Sequence, residues 1–308
     1  MNKTKADIEE KLSKFIKAGE IAKEVKKEIL ALIKPNIKLI DVAEKIESKI
    51  KELGGDAAFP VNICINEVAA HYTPIDETDV FPEEGIIKID FGVHIDGFPV
   101  DNALSIAFGD NDLYNDMIET AREAVSLAIN NFAVGKELAE IGGIIEDFVK
   151  ERGFKVIRNL NGHLLDEYDL HGKKEVPVVS ESKAAGKIEE NEVYAIEVFV
   201  TNGEGYAKSS DDIFIYSLIP ELPKRFPIRI KAARDILNYV KKTRRTLPFT
   251  IRWLKKEFNE AIVKIGMSAL EQYGVLIGYP VLIEKGNGIV AQHEETILVK
   301  KEKIHILT

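Results

Sequence analysis

In Ile86-Ile87-Lys88-Ile89-Asp90-Phe91-Gly92-Val93-His94-Ile95-Asp96-Gly97-Phe98-Pro99-Val100-Asp101-Asn102-Ala103, two largely apolar runs flank a single Asp-Gly step. Asp-Gly suits a two-residue type I′ turn, because both turn positions need positive φ and these two residues tolerate it. Residues 86 to 108 therefore read as two strands folded back on each other. Counting outward from Asp96-Gly97 sets Asp90 opposite Ala103, and Asp101 becomes the same-face diagonal neighbour of Asp90. Two carboxylates held close in apolar strands are unfavourable unless they are protonated, paired with bases or neutralised by a cation. The hairpin alone leaves another reading open, in which Asp101 is a solvated edge residue and Asp90 the buried partner of a lysine.

Further acids in apolar strands bear on that choice. Val193-Tyr194-Ala195-Ile196-Glu197-Val198-Phe199-Val200 is a buried-strand pattern broken by one carboxylate. Ile289-Val290-Ala291-Gln292-His293-Glu294-Glu295-Thr296-Ile297 repeats the anomaly. One such acid is commonly ion-paired, whereas several in one chain point to a shared cation. Gly162-His163 adds a nitrogen ligand, although an isolated histidine is more often a hydrogen-bonded structural residue. Carboxylates with an imidazole favour Mn²⁺, Fe²⁺, Co²⁺ or Zn²⁺, and the single cysteine excludes a thiolate zinc site.

The chain has 308 residues, 45% of them hydrophobic, enough for one large domain or two ordinary ones without disulfides. No apolar run approaches the roughly 20 residues of a membrane span. The start of the chain has no secretory apolar stretch, so a reducing cytoplasm is expected. A net charge of -9 argues against a nucleic-acid coat protein while allowing one local basic face. Helices are expected over residues 5 to 33 and 42 to 53, the second begun by an Asp41/Glu44 capping box and ended by Gly54-Gly55. Two more are expected near 112 to 131 and 137 to 151. Short strands and loops then run to about 218, and helices return near 229 to 242, 250 to 257 and 260 to 273. Apolar strands at 275 to 283, 296 to 299 and 304 to 307 close the chain, and Pro220 and Pro223 mark the one plausible internal boundary.

Asp90, Asp101, His163, Glu197 and Glu294 occur in the order and contexts of the five metal ligands of the methionine aminopeptidases, which the chain resembles over nearly its whole length. The supporting motifs are Phe59-Pro60, Asn66-Glu67, Ala69-Ala70-His71-Tyr72-Thr73-Pro74, Ile89-Asp90-Phe91-Gly92, Gly162-His163 with His171 beyond it, and Ala195-Ile196-Glu197. The resemblance implies an α+β pita-bread (creatinase/aminopeptidase) fold, with an antiparallel sheet flanked by helices. The long excursion between Glu197 and Glu294 resembles the type 2 enzymes, which carry a helical subdomain there. The catalytic domain would span 1-308, interrupted by an insert at 223-274. Two departures stand out. Glu295 occupies the place of a usual histidine after the last ligand, and Val198 follows Glu197 where proline is common.

What the resemblance implies about chemistry is a pair of divalent ions (Co, Mn, Fe or Zn). Asp101 and Glu294 would bridge them, Asp90 would bind one, and His163 and Glu197 would complete the other. Glu197 would also accept the proton of the attacking water. His71 and His171 would contact the scissile amide, and Phe59 and Leu170 would wall the methionine side chain. The implied reaction is removal of the initiator methionine from nascent polypeptides when the second residue is small, by a cytoplasmic monomer. His94, His293 and His305 match no motif, and Cys64 reads as a packed core thiol. Lys241, Lys242, Arg244, Arg245, Arg252, Lys255 and Lys256, interleaved with Phe249 and Trp253, form a basic stripe over 241-256. It reads either as a solvated helical face or as a contact for ribosomal RNA. Two rival functions remain at this stage. One is a proline-specific peptidase of the same fold, and the other a non-catalytic pita-bread protein that binds RNA or ribosomes.

Overall fold

The computed structural model describes residues 5–180, 186–222 and 228–308. Helices α1 (Lys5–Ile29) and α2 (Leu39–Glu52) lead into strands β1 (Asp56–Ala57), β2 (Asn62–Ile65), β3 (Val68–Ala70), β4 (Gly85–Ile95) and β5 (Phe98–Phe108). Helices α3 (Asp112–Asn131) and α4 (Ala139–Glu151) are followed by β6 (Lys155–Val156), β7 (Gly162–Leu165), β8 (Glu175–Val176), β9 (Val193–Thr201) and β10 (Ala207–Leu218). Then come α5 (Lys231–Thr243), β11 (Phe249–Thr250), α6 (Ile251–Glu257), α7 (Glu260–Gln272), β12 (Leu276–Glu284), β13 (Val290–Val299) and β14 (Ile304–Ile306).

The Asp96-Gly97 hairpin forms in the expected register, with φ of 50° and 88° at the two turn residues. Asp90 pairs with Ala103 and Gly92 with Asp101. This hairpin is half of the centre of a ten-stranded sheet whose path is β1-β4-β5-β13-β9-β7-β8, with β14 on β13, β2 on β4 and β6 on β9. The pairings are antiparallel among the described residues, and β13 lies between β5 and β9. A second sheet runs β11-β10-β12-β3.

Helices cover the large sheet as two pairs. α1 and α2 bury Phe15, Val25 and Ile46 against Ile89 and Phe91. α3 and α4 bury Met117, Ala121 and Ile145 against Tyr194 and Val198. A separate core of Ile236, Val240, Leu254, Met267 and Leu270 holds α5, α6 and α7 to one another and to the end of β10. Each cluster removes apolar side chains from water, at roughly 25 cal/mol per Å² buried.

Some boundaries differ from the sequence reading. α1 stops at Ile29 in a turn closed by Leu32 N–H donating to Ile29 O, before Pro35 is reached. α2 begins at Leu39 with Lys38 as its N-cap and no side-chain capping bond, so the Asp41/Glu44 box does not form. The Leu39 N–H is instead taken by the carbonyl of Asp79, and the capping side chain is not needed. β13 is much longer than 296 to 299, because its buried acids interrupt the apolar pattern without interrupting the strand. Pro223 lies outside the described residues, and among those that are described no helix is long and apolar enough to cross a membrane.

Candidate metal centre

The centre follows from where β13 is placed. In its register Glu294 stands opposite both Ala103 of β5 and Glu197 of β9, while Asp90 stands opposite Ala103 on the other side. β7 pairs His163 with Ala195, two residues from Glu197. Four strands thus turn one acid or imidazole each, β4 adding a fifth, toward a cavity of about 340 Å³. One ligand atom from each of Asp101, His163 and Glu294 lies within 4.8 Å of the others. His163 Nε2 is 3.9 Å from Asp101 Oδ2.

Neighbouring groups hold this cluster in place. Thr296 Oγ1 accepts from Asp101 N–H and donates to Asp101 O, both at 2.7 Å. Asn102 Nδ2 donates to Phe91 O at 2.6 Å, which locks the hairpin beside its two aspartates. Gln292 Nε2 reaches Glu294 Oε2 at 3.4 Å.

What the cluster lacks is as informative. Buried atoms Asp90 Oδ1, Asp101 Oδ1, Glu294 Oε1 and His163 Nδ1 have no hydrogen-bond partner. Each such group costs about 1–3 kcal/mol if nothing satisfies it. Burial pushes the Asp90 carboxyl up to about 7. Burial, then Asp90 and Glu197, push Asp101 well above the carboxylate range. Glu197 is raised by burial and then Asp90, and Glu294 by burial and then Asp101. His163 is held neutral, well below its usual value, by burial and then by His171. Converging hard oxygens and a neutral imidazole, short only of positive charge, are the donor set a divalent cation requires. The residues present fit the metal site that the sequence led us to expect.

The other predicted residues line the same cavity: His71, His171, Phe59 and Leu170. His71 has φ of 66°, a left-handed backbone that costs a non-glycine residue about 1–3 kcal/mol. Its Nδ1 lies 3.2 Å from Pro280 O, which fixes the ring against β12. The His171 ring is 4.7 Å from His163. Tyr279 touches both of these histidines, with ring centroids 5.7 Å from His71 and 6.0 Å from His171. Sequence reasoning missed Tyr279, since an aromatic in an apolar strand reads as core. It also missed Asn62 and Asn161, cavity-lining amides whose side-chain oxygens are buried and unpartnered.

Glu295 faces the other way. Its carboxylate takes Lys26 Nζ at 3.2 Å and Thr308 Oγ1 at 2.9 Å, with His293 Nε2 3.5 Å away. His94 Nδ1 accepts from Gly97 N–H at 3.1 Å and so serves the turn. Cys64 is buried, and burial pushes its thiol up to about 12.

The basic stripe is not one face. Arg244 and Arg252 are buried and bonded to protein acceptors, Phe249 is core, and Trp253 Nε1 donates to Glu47 at 2.8 Å. Only Lys241, Lys242, Arg245, Lys255 and Lys256 of the seven are exposed. A guanidinium can satisfy several carbonyls at once, and charge counting along the sequence cannot register that.

The sequence matches metallopeptidase family M24 over residues 13–217. It is 42% identical over 298 residues to the methionine aminopeptidase of Pyrococcus abyssi (strain GE5 / Orsay), covering 96% of this chain and 99% of that one. Among solved structures, a thermophilic Arx1 superposes with a TM-score of 0.82 at 21% identity, covering 96% of this chain and 90% of that one. The methionine aminopeptidase from Thermotoga maritima gives 0.71 at 20% identity, covering 100% and 98%. These two structures speak for the pita-bread fold alone. The family match and the near-full-length archaeal relative go further, and the chain belongs to metallopeptidase family M24, among the methionine aminopeptidases of the archaeal type.

Proposed function

We propose that this protein hydrolyses the first peptide bond of new polypeptides, releasing the initiator methionine when the second residue is small. The observation that carries the reading is the convergence of four carboxyls and one imidazole, with unpartnered buried atoms, on a cavity that also holds two non-ligand histidines. Two divalent ions would be held there by Asp90, Asp101, His163, Glu197 and Glu294. When bound, such ions lower the pKa of a shared water and polarise the scissile carbonyl.

The chain's own residues do the rest. Glu197 takes the proton lost by the attacking water, and that proton goes to the departing amine as the C–N bond breaks. His71, whose Nδ1–H donates to Pro280 O, presents Nε2 to accept from the scissile amide N–H, and His171 donates to the carbonyl oxygen as it gains charge. Phe59 and Leu170 enclose the methionine side chain. An apolar pocket makes the first side chain the one that is read, and the archaeal relative is named for methionine. A cytoplasmic monomer is the setting we propose. The five exposed cations of 241-256 are what the insert would offer to ribosomal RNA, and co-sedimentation with ribosomes after their replacement by glutamate tests that contact.

The decisive assay for the activity is cleavage of Met-Ala-Ser compared with Ala-Pro peptides by metal-loaded protein. Release of methionine from the first and inertness toward the second are expected. The opposite preference would replace this reading with the proline-specific one.

A further inference from the structure

Arg244 stands just beyond the C-terminal end of α5 and is 8% exposed. Its guanidinium makes four hydrogen bonds, each to a backbone carbonyl. Nε and Nη2 donate to Pro248 O at 3.1 and 2.8 Å. Nη1 donates to Ala57 O at 2.8 Å, and Nη2 also donates to Ala58 O at 2.7 Å. One face lies against Trp253, with the guanidinium carbon 4.9 Å from the ring centroid. Burying a permanent cation among neutral acceptors is costly, and the planar fork is the one side chain that can reach both segments together.

Those two segments are not arbitrary. Ala57 and Ala58 immediately precede Phe59, and Pro248 and Phe59 both line the cavity of the metal centre. On its far side the 57–59 segment is pressed onto β4. Ala58 N–H donates to Gly92 O at 2.9 Å, and a Cβ at Gly92 would stand 2.5 Å from the Phe59 ring and 2.8 Å from Ala58 Cβ. Contact with Gly92 therefore fixes Phe59 from below. Its separation from Pro248 is left to whatever ties the 57–58 backbone to the insert, and Arg244 is that tie.

We propose that Arg244 is a positioning residue for specificity, which sets the distance between Phe59 and Pro248 and thereby the fit of the substrate's first side chain. This rests on the reading of Phe59 as a wall of the methionine pocket. The helical insert then contributes to the frame of the active site and is not only an appendage to it.

The test uses full-length, metal-loaded protein carrying Arg244→Ala or Arg244→Lys, with Lys241→Ala/Lys242→Ala on the same helix as the control. kcat and KM are measured for Met-Ala-Ser and Leu-Ala-Ser, together with Tm. For Arg244→Ala the KM for Met-Ala-Ser should rise about 10-fold with kcat changed less than about 3-fold, and the preference for methionine over leucine should fall by a similar factor. Arg244→Lys should recover much of the Tm and little of the preference, because an ammonium lacks the fork. The control should match wild type. An unchanged Met/Leu preference in Arg244→Lys overturns the proposal even if Arg244→Ala does not fold, as does a uniform loss of kcat on both peptides. Failure of wild-type protein to cleave Met-Ala-Ser is a separate outcome, which overturns the underlying reading and this proposal with it.

Discussion

Two regions of this molecule bury charge, and they do so in opposite ways. In the central sheet, Asp90, Asp101, Glu197 and Glu294 bring like charges together and leave several oxygens without partners. In the α5–α7 segment, Arg252 sends Nη1 and Nη2 to Glu47 at 2.7 Å each and Nε to Pro74 O at 3.0 Å, and Arg244 is similarly occupied. A buried group whose partners are all supplied by the protein is architecture, since the fold already offsets its desolvation. A buried cluster of carboxyls with unpartnered oxygens must be protonated or neutralised by an added cation, and that is the mark of a ligand site.

The contrast can be broken most severely at one of the clustered acids. Asp101→Asn and Glu294→Gln should each reduce cleavage of Met-Ala-Ser by roughly 10³-fold or more, because an amide cannot neutralise a shared cation. Both should keep a native circular-dichroism spectrum. Near-normal turnover with full metal content would remove Asp101 or Glu294 from the centre. On the architectural side, Arg252→Ala leaves the partly buried Glu47 without its cation and should cost about 3 kcal/mol in urea unfolding, the low end for a broken buried pair. A cost below about 1 kcal/mol would show that the bidentate pair is not holding α6 to α2.

Smaller effects separate roles within the cavity. His71→Ala should lower kcat by about 10²-fold with unchanged metal content, as expected for a lost hydrogen bond to the reacting amide. If metal is lost instead, the histidine is a ligand and its assignment fails. The mildest change expected is Glu295→Gln. It weakens a partly exposed pair with Lys26, worth about 1 kcal/mol or less, and should leave turnover intact. Loss of activity here with retention in Glu294→Gln would mean that the ligand is the other member of the pair.

The central hairpin was legible because Asp96-Gly97 determines a register by itself, and the register determines which acids share a face. The cluster of buried acids was legible because carboxylates in strands such as Ile196-Glu197-Val198 violate the apolar pattern they sit in. Partners remote in sequence were not legible. The acceptors of Arg244 and Arg252 at Ala57, Ala58 and Pro74 lie 187, 186 and 178 residues away, so two structural arginines read as part of a surface stripe. The start of α2 escaped for the same reason, its first N–H being satisfied by Asp79 across a loop. Tyr279 escaped because its residue type is ordinary where it stands, and only its contact with His71 and His171 distinguishes it.

The most direct test of the account is methionine release from Met-Ala-Ser by chelator-stripped protein, followed by mass spectrometry before and after adding Mn²⁺, Fe²⁺, Co²⁺ or Zn²⁺, with the N-acetylated peptide in parallel. The account requires no release without metal, release with at least one of the four ions, and none from the acetylated peptide. Release that is indifferent to metal, release from the acetylated peptide, or inactivity with all four ions would contradict it.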